Sequence, residues 1–166
     1  MILRPAEPRD HAVIRDLVTA AFLTADHASG TEADIVEGVR AEDAVLVELV
    51  AEDAGQIVGH VLFSRMTCDP PMLVAALGPV SVDPARQRSG LGGAMIREGL
   101  DRCRALGAEA SLVLGHTDYY PRFGYSHAAV AQVASPYAAN RAFMGLALRS
   151  GALDAPLKAD FPRAFD

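Results

Sequence analysis

The sequence predicts one α/β domain, a central sheet with helices packed on it, and three observations point that way. The apolar, strand-like stretch Leu77-Gly78-Pro79-Val80-Ser81-Val82 runs through Gln87-Arg88-Ser89-Gly90-Leu91-Gly92 into the amphipathic residues 91–106. That order reads as strand, glycine-bearing turn, helix. Two Val- and Leu-rich runs, residues 44–51 and 56–66, flank Asp53-Ala54-Gly55, which reads as the turn of a strand pair. Residues 10–22 place Val13, Ile14, Leu17, Val18 and Phe22 at helical spacing. A length of 166 residues is enough for one domain with a sizeable core.

Taken in order, residues 1–4 read as a first strand and residues 5–8 as a turn. Asp10 is placed to cap the helix that ends near Phe22, and Thr31 to cap a second helix with Ile35, Val36 and Val39 inward. The paired strands 44–51 and 56–66 follow, and Pro70-Pro71 breaks the second. Residues 72–82 form the fourth strand, interrupted at Gly78-Pro79. Proline cannot donate to a ladder, so Pro79 marks an edge or a bulge. The helix over 91–106 stops at Gly107. Residues 110–114 are the fifth strand and 119–123 a short helix. Residues 126–133 and 142–148 read as a closing pair of strands, with 135–141 an irregular loop. Residues 1–150 read as the domain proper. Residues 151–166, with two prolines and little periodicity, read as a tail packed on its surface.

Composition narrows the function. Apolar content is 51% with no long uninterrupted apolar run, so no membrane span is expected. The opening Met1-Ile2-Leu3-Arg4-Pro5 lacks the layout of a signal peptide. Cys68 and Cys103 lack metal-ligand spacing and read as reduced thiols, so a cytoplasmic location and no metal are expected. A net charge of −6 argues against nucleic-acid or anionic-membrane partners and is compatible with a cationic amine.

The turn from Gln87 to Gly93 carries the chemistry. The first amides of a helix have no intrahelical partner, and the helix dipole favours an anion there. Glycines let a phosphate approach the backbone, and Arg86 and Arg88 add positive charge. A phosphorylated ligand is expected. No Gly-Lys-Ser or Gly-Lys-Thr follows, so this is not a Walker A loop, and the glycine spacing does not fit a dinucleotide fingerprint.

The pattern Gln87-x-x-Gly90-x-Gly92, after a strand ending in Val82-x-Pro84, resembles the acyl-CoA pyrophosphate signature of the GNAT N-acetyltransferase superfamily. Tyr119-Tyr120-Pro121-Arg122-Phe123-Gly124-Tyr125 resembles that family's late aromatic block, at the right distance for one helix and one strand between. Glu32-Ala33 opening a helix, and Val58-Gly59-His60-Val61-Leu62-Phe63-Ser64, resemble its YhbS-like branch, so the likeness covers roughly residues 2–150. Members of that branch often carry Asp-Pro after the fifth strand's Gly, where this chain has His116-Thr117-Asp118.

The resemblance implies a mixed, mostly antiparallel sheet splayed between the fourth and fifth strands, with acetyl-CoA as cosubstrate. It implies that Val80, Ser81 and Val82 hold the pantetheine arm, and that Gln87, Arg88, Ser89, Gly90, Leu91, Gly92 and Gly93 hold the pyrophosphate. It gives Tyr120 the role of protonating the departing thiolate. The Val80 amide is the first candidate to polarise the thioester carbonyl, because Pro79 has no N–H to offer. The family often supplies its base as a Glu on the fourth strand, but residues 72–82 contain no carboxylate. His116 at the end of the fifth strand, His60 on the third, Glu32 opening the second helix and a water relay are the candidates. The plainer readings are a surface histidine, a structural histidine and a helix N-terminal acidic cluster.

The expected activity is acetyl-CoA-dependent N-acetylation of a primary amine, a small molecule or a peptide N-terminus, by direct transfer in a ternary complex. The alternative is an acyl-CoA-binding regulatory protein with little turnover. A toxin-type transferase acting on charged tRNA would want a basic face that this composition lacks. Dimers are common among members of the family, so a homodimer is an expected assembly.

Overall fold

The computed structural model describes residues 1–23, 25 and 29–166. The strands in chain order are β1 (Ile2–Pro5), β2 (Val45–Asp53), β3 (Gln56–Arg65), β4 (Thr67–Asp69), β5 (Val74–Val82), β6 (Ala110–Leu114), β7 (Val133–Ala134), β8 (Phe143–Ala147) and β9 (Leu157–Asp160). The α-helices are α1 (His11–Phe22), α2 (Glu32–Ala41) and α3 (Leu91–Ala105). Among the described residues, six strands form the main sheet in the order β1–β2–β3–β5–β6–β8. Every neighbouring pair in it is antiparallel except β5–β6. α3 makes the crossover between those two parallel strands, as a parallel pair requires. The fold is therefore the mixed α/β sheet expected. Among the described residues no helix is long and apolar enough to cross a membrane.

The β2–β3 hairpin follows from its turn. Ala54 and Gly55 both sit at positive φ, 49° and 79°, the combination a two-residue loop needs to match strand twist. Both faces of the sheet are covered, so its central strands are apolar on both sides. On one face Leu49, Val61, Phe63, Ala75 and Leu77 pack under Met95, Ile96 and Leu100 of α3. On the other, Val50 and Leu62 pack under Ile14 and Val18 of α1 and Val36 and Val39 of α2.

The remaining part of that second face is covered by something the sequence reading did not contain. β4, β9 and β7 form a small sheet with β9 in the middle, antiparallel to β4 and parallel to β7. It buries Val133, Leu157 and Ala159 against Val74, Ala76, Leu112 and Phe143. Residues 151–166 are thus more than a surface tail, since Leu157 and Ala159 point inward while Lys158 is exposed. That period of two spans only four residues, too short to read unaided.

The expected strand over 126–133 does not form. Ser126 makes one isolated bridge to Gly145, then the chain coils into a 3₁₀ turn at Ala128–Val130. Val130 and Val133 lie three apart and both enter the second core, a helical rather than an alternating spacing. Two caps also differ. The Asp10 carboxylate caps nothing at α1. It takes the Arg4 guanidinium at 2.7 and 3.0 Å and the Glu7 amide at 2.8 Å. Thr31 makes no capping bond at α2, where Glu32 reaches back to the Ser29 amide instead.

Candidate functional site

The site begins at a register shift. Val61 stands opposite Val80 and Phe63 opposite Leu77, so Gly78 and Pro79 share the single position of Leu62. This is a bulge, and one extra residue reverses the side-chain alternation. Before it, Ala75 and Leu77 face α3; after it, Val80 and Val82 do. β6 pairs with β5 only from Val74 to Leu77, and beyond the bulge the two strands part. The Asp83 amide donates to Val58 O at 2.9 Å. By ladder alternation Ser81 also turns its N–H toward β3, which leaves the N–H groups of Val80 and Val82 on the side that β6 has left. Val80 is therefore on an open backbone edge.

That edge leads straight to the turn. Asp83 Oδ1 accepts the Ala85 amide at 2.9 Å and holds a 3₁₀ turn at Pro84–Arg86. Gln87 Nε2 donates to Val82 O at 3.2 Å, and the Ser89 hydroxyl donates to Arg86 O at 2.6 Å. Gln87 and Ser89 thus brace the turn with their side chains. Gly90, at φ 86°, is the N-cap of α3, a conformation only glycine takes without strain. Arg88 holds φ 63° without that freedom, the kind of local strain that collects at binding sites. The Ala94 amide donates to Gly90 O at 3.1 Å. The amides of Leu91, Gly92 and Gly93 come before it and have no carbonyl within the helix. Leu91 buries its side chain in the core, so only its backbone belongs to the site.

The charge at the turn differs from expectation. Arg86 is ion-paired with Asp53, which neutralises it, while Arg88 has no ion pair among the described residues. The turn from 87 to 93 carries no carboxylate. Free amides, one guanidinium and glycine surfaces suit a phosphate anion, and the open edge of β5 suits an extended chain leading from it.

The aromatic block folds over this edge. The His116 carbonyl accepts the Tyr119 and Tyr120 amides at 3.3 and 3.4 Å, and residues Tyr120–Phe123 form a 3₁₀ turn. His116 itself is exposed. Tyr120 lies over Gly115, where a Cβ would meet its ring at 2.3 Å. Burial pushes the Tyr120 phenol up to about 12, so it is protonated at neutral pH. Its hydroxyl makes no hydrogen bond among the described residues. Tyr119 was missed by the sequence reading. A Cβ on Gly92 would stand 3.3 Å from the Tyr119 hydroxyl, 3.8 Å from Val82 and 3.9 Å from Val80. Val80, Val82, Gly92 and Tyr119 therefore meet at one point. The Arg122 guanidinium stacks on Tyr119 at 4.5 Å and Arg97 on Phe123 at 5.0 Å, an arrangement no linear spacing announces.

A second polar group lies under α1 and α2. His60 is fully buried, with Nε2 2.9 Å from Glu48 Oε1, and Glu48 takes Arg40 at 2.5 and 3.2 Å. Burial disfavours ionised Glu48, but the His60 and Arg40 hydrogen bonds outweigh it and hold the carboxyl down to about 2 from 4.5. Burial also lowers the His60 pKa below 6.5, against the pull of Glu48. The histidine in the apolar run 58–63 was a visible signal; Glu48 and Arg40 come from other elements and were not. Glu32 keeps its carboxylate on Ser29, accepting from the amide at 3.1 Å and the hydroxyl at 2.8 Å.

This group sets an acid limit. Glu48 titrates lower in the fold than in the open chain, so its stabilisation is present above 4.5 and is lost as pH falls toward about 2. His60, lowered from 6.5, acts with the same sign, since acid must charge a buried neutral ring. Thermal unfolding should therefore show Tm falling from pH 6 to pH 3, with a shallower fall in Glu48→Gln. Equal slopes in the two proteins would refute this account.

Comparison with known proteins follows the same geometry. Residues 3–128 match the family model described as acetyltransferase (GNAT) domain. The chain is 36% identical over 121 residues to the uncharacterized N-acetyltransferase YjhQ of Escherichia coli K12, covering 70% of this chain and 64% of that protein's length. It is similar to a GNAT family acetyltransferase from Brucella melitensis solved with acetyl-CoA, at TM-score 0.82 and 36% identity over 99% of this chain and 97% of that one. It also superimposes on the E. coli N-acetyltransferase YhbS solved with CoA, at TM-score 0.88 and 27% identity over 99% and 91% of the two chains.

Proposed function

The chain belongs to the GNAT acetyltransferase family, and from that premise we propose that it moves an acetyl group from acetyl-CoA to a primary amine by direct transfer in a ternary complex. One observation carries the reading most: the backbone edge of β5 beyond the bulge stands open and ends on the free amides of α3. The pantetheine arm would lie along Val80, Ser81 and Val82, and the pyrophosphate on residues 87–93. The Val80 N–H would polarise the thioester carbonyl, and Tyr120 would return a proton to the departing sulfur. Direct transfer is supported by the cysteines: burial pushes the Cys68 thiol up to about 11 and the Cys103 thiol up to about 12, so neither is a ready acyl carrier. The acidic balance of the chain suits a cationic acceptor, a small amine or a peptide N-terminus.

The test is calorimetry with acetyl-CoA and CoA, followed by free-thiol release over a panel of amines that includes spermidine. Binding with amine-dependent thiol release is expected. Binding with no release for any amine would favour an acyl-CoA-binding regulator, and no binding would refute both.

A further inference from the structure

Two arginines beside the turn at 87–93 have no part in holding pantetheine or pyrophosphate. Arg97 stands one turn beyond Gly93 on α3, and a Cβ on Gly93 would lie 3.1 Å from its Nη1 and 3.5 Å from the Phe123 ring. The Arg97 guanidinium lies over that ring, 5.0 Å from its centroid. Arg122 lies 4.5 Å from the centroid of Tyr119, whose hydroxyl approaches Gly92. The two rings meet edge to face at 5.3 Å, so both cations belong to one surface. Both act on the Tyr119 phenol, lowering the pKa that burial raises. Both arginines are exposed, and neither has an ion pair among the described residues. The carboxylates of α3 are engaged elsewhere, Glu98 with Arg102 and Asp101 with Arg104. Arg122 Nε donates to Tyr119 O at 3.0 Å, which fixes the guanidinium and leaves its two terminal nitrogens unbonded among the described residues.

We propose that Arg97 and Arg122 form a second anion site beside the turn, one that holds the 3′-phosphate of CoA. The proposal rests on the function given above and adds recognition of the nucleotide half. With pantetheine along β5 and the pyrophosphate on residues 87–93, the nucleotide is carried beyond the first turn of α3, where these arginines stand. The 3′-phosphate and the pyrophosphate hang on the same ribose, so their two sites must be neighbours, as Gly93 and Arg97 are. Charge separates the two sites. Each phosphorus of the pyrophosphate carries one negative charge, which suits the amides of Gly92 and Gly93 with Arg88. The 3′-phosphate is a monoester with a charge of about −2 and three acceptor oxygens, which suits guanidinium forks. The rings hold both arginines in place before the ligand arrives, so little side-chain freedom is lost on binding.

Calorimetry with CoA and with 3′-dephospho-CoA tests this, on the wild type and on the double variant Arg97→Gln, Arg122→Gln. The wild type should bind CoA at least about 10-fold more tightly, the worth of one hydrogen bond to a charged group. The double variant should bind both cofactors alike, by losing affinity for CoA alone. Its unchanged affinity for 3′-dephospho-CoA would also show that the fold and the pyrophosphate turn are intact. Arg88→Gln should weaken both cofactors by the same factor and keep the preference. Equal wild-type affinity for the two cofactors overturns the proposal. A preference that survives in the double variant places the 3′-phosphate elsewhere and overturns it too. A double variant that weakens both cofactors equally also overturns it, since the arginines then only brace the aromatic block. A wild-type protein that binds neither cofactor refutes the transferase reading itself.

Discussion

Gly90→Asp is expected to abolish CoA binding while leaving the protein folded. No heavy atom lies within 4 Å of a Cβ built on Gly90, so the new side chain meets nothing. The φ of 86° strains most residues, but Asp tolerates it better than most and is a favoured helix N-cap. Its carboxylate would accept the very amides that the pyrophosphate is proposed to use, and would oppose the phosphates as a like charge. Like-charge juxtaposition at a binding surface costs several kcal/mol. Affinity should therefore fall at least about 10²-fold. Gly90→Asn, of the same shape and uncharged, should fall less. Calorimetry on both variants, with circular dichroism to confirm folding, is the check. Unchanged affinity in a folded Gly90→Asp protein would move the phosphates elsewhere.

Tyr120→Phe should lower kcat roughly 10²- to 10⁴-fold, the usual worth of a positioned acid, with little change in CoA affinity. The ring keeps its packing over Gly115, and no hydrogen bond among the described residues is lost with the hydroxyl, so stability should hardly move. Tyr119→Phe is the informative companion. Its hydroxyl lies at the first turn of α3, so its loss should act on CoA affinity more than on kcat. If the two effects were exchanged, Tyr119 would be the proton donor and Tyr120 a packing residue.

The legible parts of this molecule were those written in neighbouring residues. The turn at 87–93 and the proline at 79 each declare a local backbone problem, free amides in one case and a missing donor in the other, and both lie where the sequence placed them. The caps were misjudged because Asp10 and Thr31 had competitors beyond their own helices: Arg4, six residues away, claims the Asp10 carboxylate. The Arg40–Glu48–His60 group needed the β2–β3 register and the placement of α2, which no single segment encodes. The same is true of Tyr119 beside Gly92, whose meeting depends on how far β6 has parted from β5.

The small sheet gives the molecule a timetable. β4 is made early, yet its partner β9 lies at 157–160, and β7 waits for the same strand. Synthesis proceeds at about 5–20 residues per second. On the ribosome, β4 and the apolar face beneath it must therefore stay unpartnered for several seconds after the main sheet's first hairpin has closed. The slow, long-range step of assembly is the insertion of one four-residue strand between two waiting edges. A ribosome stalled before residue 157 would display a nascent chain with its first hairpin complete and one flank of its core uncovered, the form on which a chaperone would act.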